Sequence, residues 1–143
     1  MIFCQIGNEL INIIKKYADG RIIVDCGCGD GLLGSLIREV ISIDLFPRDT
    51  ALINDIMYFD VREFPFKENM MPVFIRPCHS QLFVDATLRK IKEDKLVKDC
   101  LYISMPHNLE IDIDIEKFQT KQVEDWIGGD GEKIYLITFG GDI

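Results

Sequence analysis

The chain has 143 residues, 48% of them apolar, and its 16 basic against 24 acidic residues leave a net charge of -8. That composition excludes a disordered chain and suits one domain, residues 1–143, with room for a real core. The negative charge disfavours nucleic acid as a partner, and no apolar run is long enough to span a membrane.

The elements follow in chain order. The opening "MIFCQIGNELINIIKKY" has no basic n-region and carries Glu9 before its lysines, so no signal peptide is expected. Five scattered cysteines, at 4, 26, 28, 78 and 100, form no disulfide framework and point to the cytoplasm. From Gln5 to Tyr17 the apolar residues Ile6, Leu10, Ile13, Ile14 and Tyr17 recur at helical spacing, and Asp19-Gly20 ends that helix. Arg21 to Asp25 is a continuous apolar strand of the kind buried in a parallel sheet. Gly31 to Glu39 reads as a short helix and Val40 to Asp44 as a second strand. A turn at Phe46 to Asp49 leads to a third strand ending near Asp60, and Lys67 to Met71 is a loop.

Pro72 to Pro77 is a fourth strand, and Ser80 is a suitable N-cap for a helix over 81–94, on which Asp85 and Arg89 stand at i,i+4. Cys100 to Met105 is a fifth strand. Residues 109–118 alternate like a strand but also carry helix-start chemistry. Residues 122–127 and 132–139 flank Gly128-Gly129-Asp130-Gly131 as a hairpin. Strands alternating with helices before a hairpin predict an α/β fold, a mostly parallel sheet with an antiparallel C-terminal hairpin.

Gly27, Gly29 and Gly31 fall between the first strand and its helix. In open α/β sheets ligands bind beyond the carboxyl ends of the strands, and glycine lets a ligand approach the backbone. The same glycines also serve if they only turn the chain and let the helix pack. Gly29 to Gly34 matches G-x-G-x-x-G, yet a dinucleotide site wants an acid about 20 residues further on, and Asp44 stands 15 after Gly29.

"VDCGCGDG" resembles the first motif of class I S-adenosylmethionine-dependent methyltransferases, an acid followed by G-x-G-x-G. "SIDL" resembles their second motif and "DVREFPF" their D-x-x-x-L-P-F segment, all three in the family's order between Asp25 and Phe66. The resemblance implies a Rossmann-like three-layer sandwich that binds S-adenosylmethionine. It implies that Asp25 orients the loop and the methionine amino group, and that Gly27, Gly29 and Gly31 pass beneath methionine and ribose. Asp44 would bind the ribose and Asp60 the adenine, with Asp55 as the rival for adenine. A cationic ligand without phosphate suits these carboxylates, whereas Asp25 and Asp30 would repel a pyrophosphate.

The segment after the second strand and the last hairpin also resemble RNA ribose-2′-O methyltransferases. The Asp and Lys that those enzymes use are missing after the fourth strand and on the fifth, and the D/N-P-P-aromatic motif of amino-group methyltransferases is replaced by "RPCH". The candidates left for catalysis are His79 as a general base and Arg76 as an anchor for a carboxylate. His79 equally fits a helix cap or a pocket wall. Cys26, Cys28, Cys78 and His79 have the donor chemistry for zinc but not its usual spacing, so no metal is expected. His107 is a further weak contact candidate, while Trp126 and the Phe64/Phe66 pair read as core.

The expected activity is methyl transfer to a small-molecule or protein acceptor. The alternative is a non-catalytic binding module acting with a partner protein. Clipped crossovers leave sheet surface to cover, which leaves room for a homodimer or a partner subunit.

Overall fold

The computed structural model of the protein describes residues 7–46, 49–75, 81–103, 118–123 and 133–139. The first helix, α1 (Asn8–Ala18), buries Leu10, Ile11, Ile13, Ile14 and Ala18 on one face. It ends as expected: Asp19 turns left-handed with φ 50°, its N–H donating to the Lys15 carbonyl, and Gly20 continues the turn at φ 85°. Then come β1 (Ile22–Cys26), the five-residue α2 (Leu32–Leu36), β2 (Val40–Asp44) and the two-residue β3 (Met57–Tyr58). A single 3-10 turn (Val61–Glu63), β4 (Met70–Ile75), α3 (Gln81–Asp94), β5 (Asp99–Ile103), β6 (Gln119–Gln122) and β7 (Ile134–Thr138) complete the described elements.

The strands form one sheet in the order β3-β2-β1-β4-β5-β7-β6. The pairs β3–β2, β2–β1, β1–β4 and β4–β5 are parallel, whereas β7 runs antiparallel to both β5 and β6. Side chains alternate across the sheet. Val24, Cys26 and Ile43 therefore meet α3's Val84, Leu88 and Ile91 on one face. Ile23 and Val73 meet Leu10 and Ile14 of α1 and Leu33 of α2 on the other. This is the expected three-layer α/β arrangement.

Several boundaries differ from the sequence reading. Met70 and Met71 belong to β4 rather than to the preceding loop, because both are buried and pair with Ile22 and Ile23. Pro72 lies inside this strand, and the ladder to β5 begins only at Val73, so the missing N–H interrupts nothing. α2 stops at Leu36, since Ile37 is already extended and Glu39 turns left-handed at φ 61° into β2. The hairpin exists, but its first strand lies at 119–122, with Gln122 opposite Tyr135 and the Val123 N–H donating to the Ile134 carbonyl. The glycine turn at 128–131, Trp126 and most of 109–118 lie outside the described residues.

On α3 the expected Asp85–Arg89 pair does not form. Asp85 is buried with its Oδ1 unpaired, while Arg89 is exposed and the ion pair on this helix joins Lys90 to Asp94. Phe64 and Phe66 are core, as expected, their rings edge-to-face at 4.9 Å.

Candidate functional site

The order of the strands reverses at β1, which has β2 on one side and β4 on the other. Ligands of open α/β sheets bind beyond the strand ends at such a point. The loop leaving β1 carries Gly27, Gly29 and Gly31 at φ 78°, 59° and 83°, values that disfavour any side chain. Its backbone is tied to β2: the N–H groups of Gly27 and Cys28 both donate to the Ile43 carbonyl.

Asp44 completes that tie. It is 2% exposed; its Oδ2 accepts the Gly29 N–H at 2.8 Å and its Oδ1 the Phe46 N–H at 3.1 Å. One carboxylate thus clasps the loops after β1 and β2 together. Each oxygen retains a further lone pair. The loop-orienting part expected of Asp25 is carried by Asp44 instead: among the described residues Asp25 makes no hydrogen bond, and its side chain lies on the α1/α2 face.

Two of the close approaches that exclude side chains come from the protein itself. A Cβ on Gly31 would lie 2.8 Å from Ile53 Cγ1, and one on Gly34 would lie 2.7 Å from Ser42 Oγ and 2.9 Å from Ile53 Cδ1. Ile53 belongs to the chain between β2 and β3, which crosses the glycine loop without forming a helix among its described residues. The Leu52 N–H donates to the Asp30 carbonyl at 2.7 Å and Thr50 Oγ1 to Asp30 Oδ1 at 2.7 Å. Gly31 and Gly34 are packing glycines; Gly27 and Gly29 are at the mouth.

Beside the clasp opens a small cleft of about 60 Å³, lined by Gly27, Ile43, Asp44, Leu45, Phe46, Phe59 and Val61. Sequence reasoning found Gly27 and Asp44 but missed its apolar walls. The only available signal for them was that each is an apolar residue within two positions of an acid, Asp44 or Asp60. Asp60 stands between two lining residues, Phe59 and Val61, without itself lining the cleft, and Asp55 is exposed. Its carboxylate caps the 3-10 turn by accepting the Arg62 N–H and is forked by the Arg62 guanidinium at 2.6–3.2 Å. The Arg62 hydrogen bond holds Asp60 below its ordinary acidity range. The Val61 N–H, at the start of that turn, makes no hydrogen bond among the described residues.

Burial, with the Asp44 charge adding to it, pushes the Asp25 carboxyl up from 3.8 to about 7. Burial also raises the Cys26 thiol well above its usual value, so it is an inert core group. Among the described residues no three ligating side chains gather as a metal site. Arg76, Cys78, His79, Ser80 and His107, which include both candidates for catalysis, lie outside the described residues.

The arrangement offers apolar walls, a Val61 N–H with no partner among the described residues and, in Asp44, a buried carboxylate with lone pairs to spare. Asp30 and Asp44 beside the loop disfavour an anionic ligand.

No protein-family model matches the chain, and no curated protein matches it in sequence. Solved structures do match it in shape. Protein 1320 of Thermoplasma acidophilum superposes over 91% of this chain and 87% of its own, with a TM-score of 0.57 at 17% identity. The 23S rRNA methyltransferase ErmE covers 94% of this chain and 68% of its own, with a TM-score of 0.59 at 14% identity. The methyltransferase domain of the bacterial CtHen1 covers 91% and 96%, with a TM-score of 0.58 at 11% identity. Strand order, antiparallel β7 and these neighbours agree: the chain has the fold of the class I, Rossmann-like methyltransferases.

Proposed function

We propose that the protein binds S-adenosylmethionine at the carboxyl end of β1 and β2 and transfers its methyl group to a small-molecule or protein acceptor. The observation that carries this reading is the Asp44 clasp: one buried carboxylate joins a three-glycine loop to the wall of an apolar cleft at the switch point of the sheet. Phe46 and Phe59 would flank the adenine, with the Val61 N–H and the Asp60 carboxylate at its edge. Asp44 would accept the ribose hydroxyls, Gly27 and Gly29 would leave room for the methionine chain, whereas the space over Gly31 is taken by Ile53, and Asp25 would face the ammonium group. When bound, the cofactor supplies an electrophilic methyl on a cationic sulfur. The chain's part is to hold the reactants in line and keep water out. His79 and Arg76, which follow β4, the neighbour of β1, remain the candidates for base and acceptor anchor.

One structural neighbour, ErmE, is a 23S rRNA methyltransferase, but a net charge of -8 supports a small or protein acceptor here over RNA. Among the described residues Cys26, Cys28 and Cys100 are thiols and no helix is long and apolar enough to cross a membrane, which suits a cytoplasmic setting.

A second reading, a non-catalytic module or subunit that works with a partner, is favoured by the apolar side chains left open near the β3 edge. Leu52 is 56% exposed, Tyr58 48% and Met57 44%.

Calorimetric titration with S-adenosylmethionine and S-adenosylhomocysteine tests the proposal. Wild type should bind both, and Phe46→Ala should weaken binding about tenfold through lost stacking on the base. Absence of binding by folded, cofactor-free protein would refute it. Binding without methyl transfer to any acceptor until a partner protein is added would favour the second reading.

A further inference from the structure

We propose that Asp25 carries a proton in the empty protein and gives it up to solvent when the cofactor's ammonium group arrives, so that cofactor binding is coupled to release of one proton. The inference deepens the proposed function and rests on it.

The argument begins with the strand register. Asp25 on β1 stands opposite Ser42 on β2 and Val73 on β4. Residues paired across parallel strands project to the same face. That face is the one packed by α1 and α2: Ile23, two before Asp25, lies in that core, and so does Val73. Gly34 of α2 comes down directly on Ser42 Oγ. Asp25 is 4% exposed and Ser42 2%, and the Ser42 hydroxyl has no hydrogen-bond partner. Two buried polar groups therefore lie side by side under the glycine loop with no hydrogen bond between them.

Among the described residues, the groups around Asp25 do nothing to favour its charge. From β2 comes Asp44, whose negative charge opposes ionisation. From β1 itself come Cys26 and, just beyond, Cys28, with no cation among them. From α1, α2 and β4 the packed residues are Leu10, Ile14, Leu33, Met71 and Val73, all apolar. The charged residues of α1, Glu9, Lys15 and Lys16, are exposed on its far side. An unpaired carboxylate in such a place is costly, and it lowers that cost by taking up a proton. Burial and the Asp44 charge together hold the proton on Asp25 up to about pH 7.

A cation placed at the glycine loop reverses this balance. The O–H bond of the Asp25 carboxyl breaks, the proton leaves to buffer, and the carboxylate pairs with the ammonium, which keeps its own protons. Below pH 7 the ligand's ammonium is fully protonated, so any pH dependence in that range belongs to the protein. The competent, ionised fraction sets the apparent affinity, which should rise roughly 20-fold between pH 5.5 and 7.5.

The test uses the whole protein and S-adenosylhomocysteine, titrated by calorimetry in buffers of differing ionisation enthalpy. The expected result is release of about 0.9 proton per ligand at pH 6 and about 0.2 at pH 7.5, with the stated rise in affinity. 5′-Methylthioadenosine, which has the nucleoside but no ammonium, should bind without proton release. Asp25→Asn should bind S-adenosylhomocysteine more weakly and with no slope over this range. As a measurement on unaltered protein, carboxyl carbon resonances should show Asp25 titrating near neutrality in the empty state and ionised at pH 6 in the complex. Binding with constant affinity and buffer-independent heat, or an Asp25 that titrates near 4 in the empty protein, would overturn the proposal while leaving the cofactor site standing. No binding at any pH would overturn both.

Discussion

Replacing Asp25 by Asn should make the protein more stable, and only above about pH 4. Asp25 is an acid whose folded-state value lies above its unfolded one, raised by burial first and the Asp44 charge second. Between pH 4 and 7 the native protein holds a proton that the unfolded chain has already lost, so stability falls as pH rises through this window. A shift from 3.8 to about 7 corresponds to a cost of about 4 kcal/mol once both states are ionised. Asn is isosteric and uncharged, so it resembles the protonated acid and escapes that cost. Urea melts of the two proteins should coincide near pH 3, differ by about 2 kcal/mol at pH 5 and by about 4 kcal/mol at pH 8, with a Tm difference of roughly 10 °C at pH 8 for a chain of this size. Other groups titrate in the same range, and the difference between the two curves removes them. Parallel curves from pH 5 to 8 would refute the reasoning, because they would mean that Asp25 is solvated or paired in the native state.

Asp44→Asn removes the charge that pushes Asp25 upward, so the Asp25 carbon resonance should titrate at lower pH in that variant; an unmoved midpoint would leave burial as the sole cause. Gly34→Ala should cost about 1–3 kcal/mol by overpacking, and adding Ser42→Ala and Ile53→Ala should recover part of it, since these remove the atoms at 2.7 and 2.9 Å; strictly additive losses in denaturant melts would rule out the contact as the cause. Asp60 has its pKa lowered by Arg62, so its contribution is present above the unfolded value and is lost as pH falls through the folded one. Acid titration of Asp60→Asn, which keeps an acceptor for the Arg62 N–H, should therefore show a shallower loss of stability below pH 4 than wild type.

The layers of the fold were legible because they rest on local periodicity: α1, β1, β2 and α3 each announce a buried stripe or run. What was not legible depended on partners distant in sequence. Met70 and Met71 look like loop residues until Ile22 and Ile23 are known to lie beside them. Asp85 reads as a surface partner for Arg89, yet packing turns it inward, where its Oδ1 finds no partner. At the site, the glycines and Asp44 were visible as a motif. That Asp44 ties the loop while Asp25 does not was invisible, since a motif gives order and not the direction of a carboxylate. The cleft walls Leu45, Phe46, Phe59 and Val61 carry no chemical label of their own and form a cleft only when two loops meet.

The chain between β2 and β3 explains how a fold with so few helices can still present a formed site. With no helix among its described residues, this crossover cannot brace the strand ends by packing a broad apolar face. It is fastened at points instead: Asp30 takes a hydroxyl and an N–H from it, and Ile53 fills the space over Gly31 and Gly34. Asp44 fastens the start of the crossover, at Phe46, to Gly29 of the glycine loop. Each fastening has one end on the glycine loop or its helix, so the loops that form the cleft are ordered through the same few residues that a ligand would meet. Point contacts hold only what they touch, which is why the short β3 leaves Met57 and Tyr58 open to solvent while Asp44, a few ångströms along the sheet, is almost fully enclosed. Carboxylates thus fasten the loops at this end of the sheet, and the negative charge they gather there is what would favour the cationic ligand proposed above.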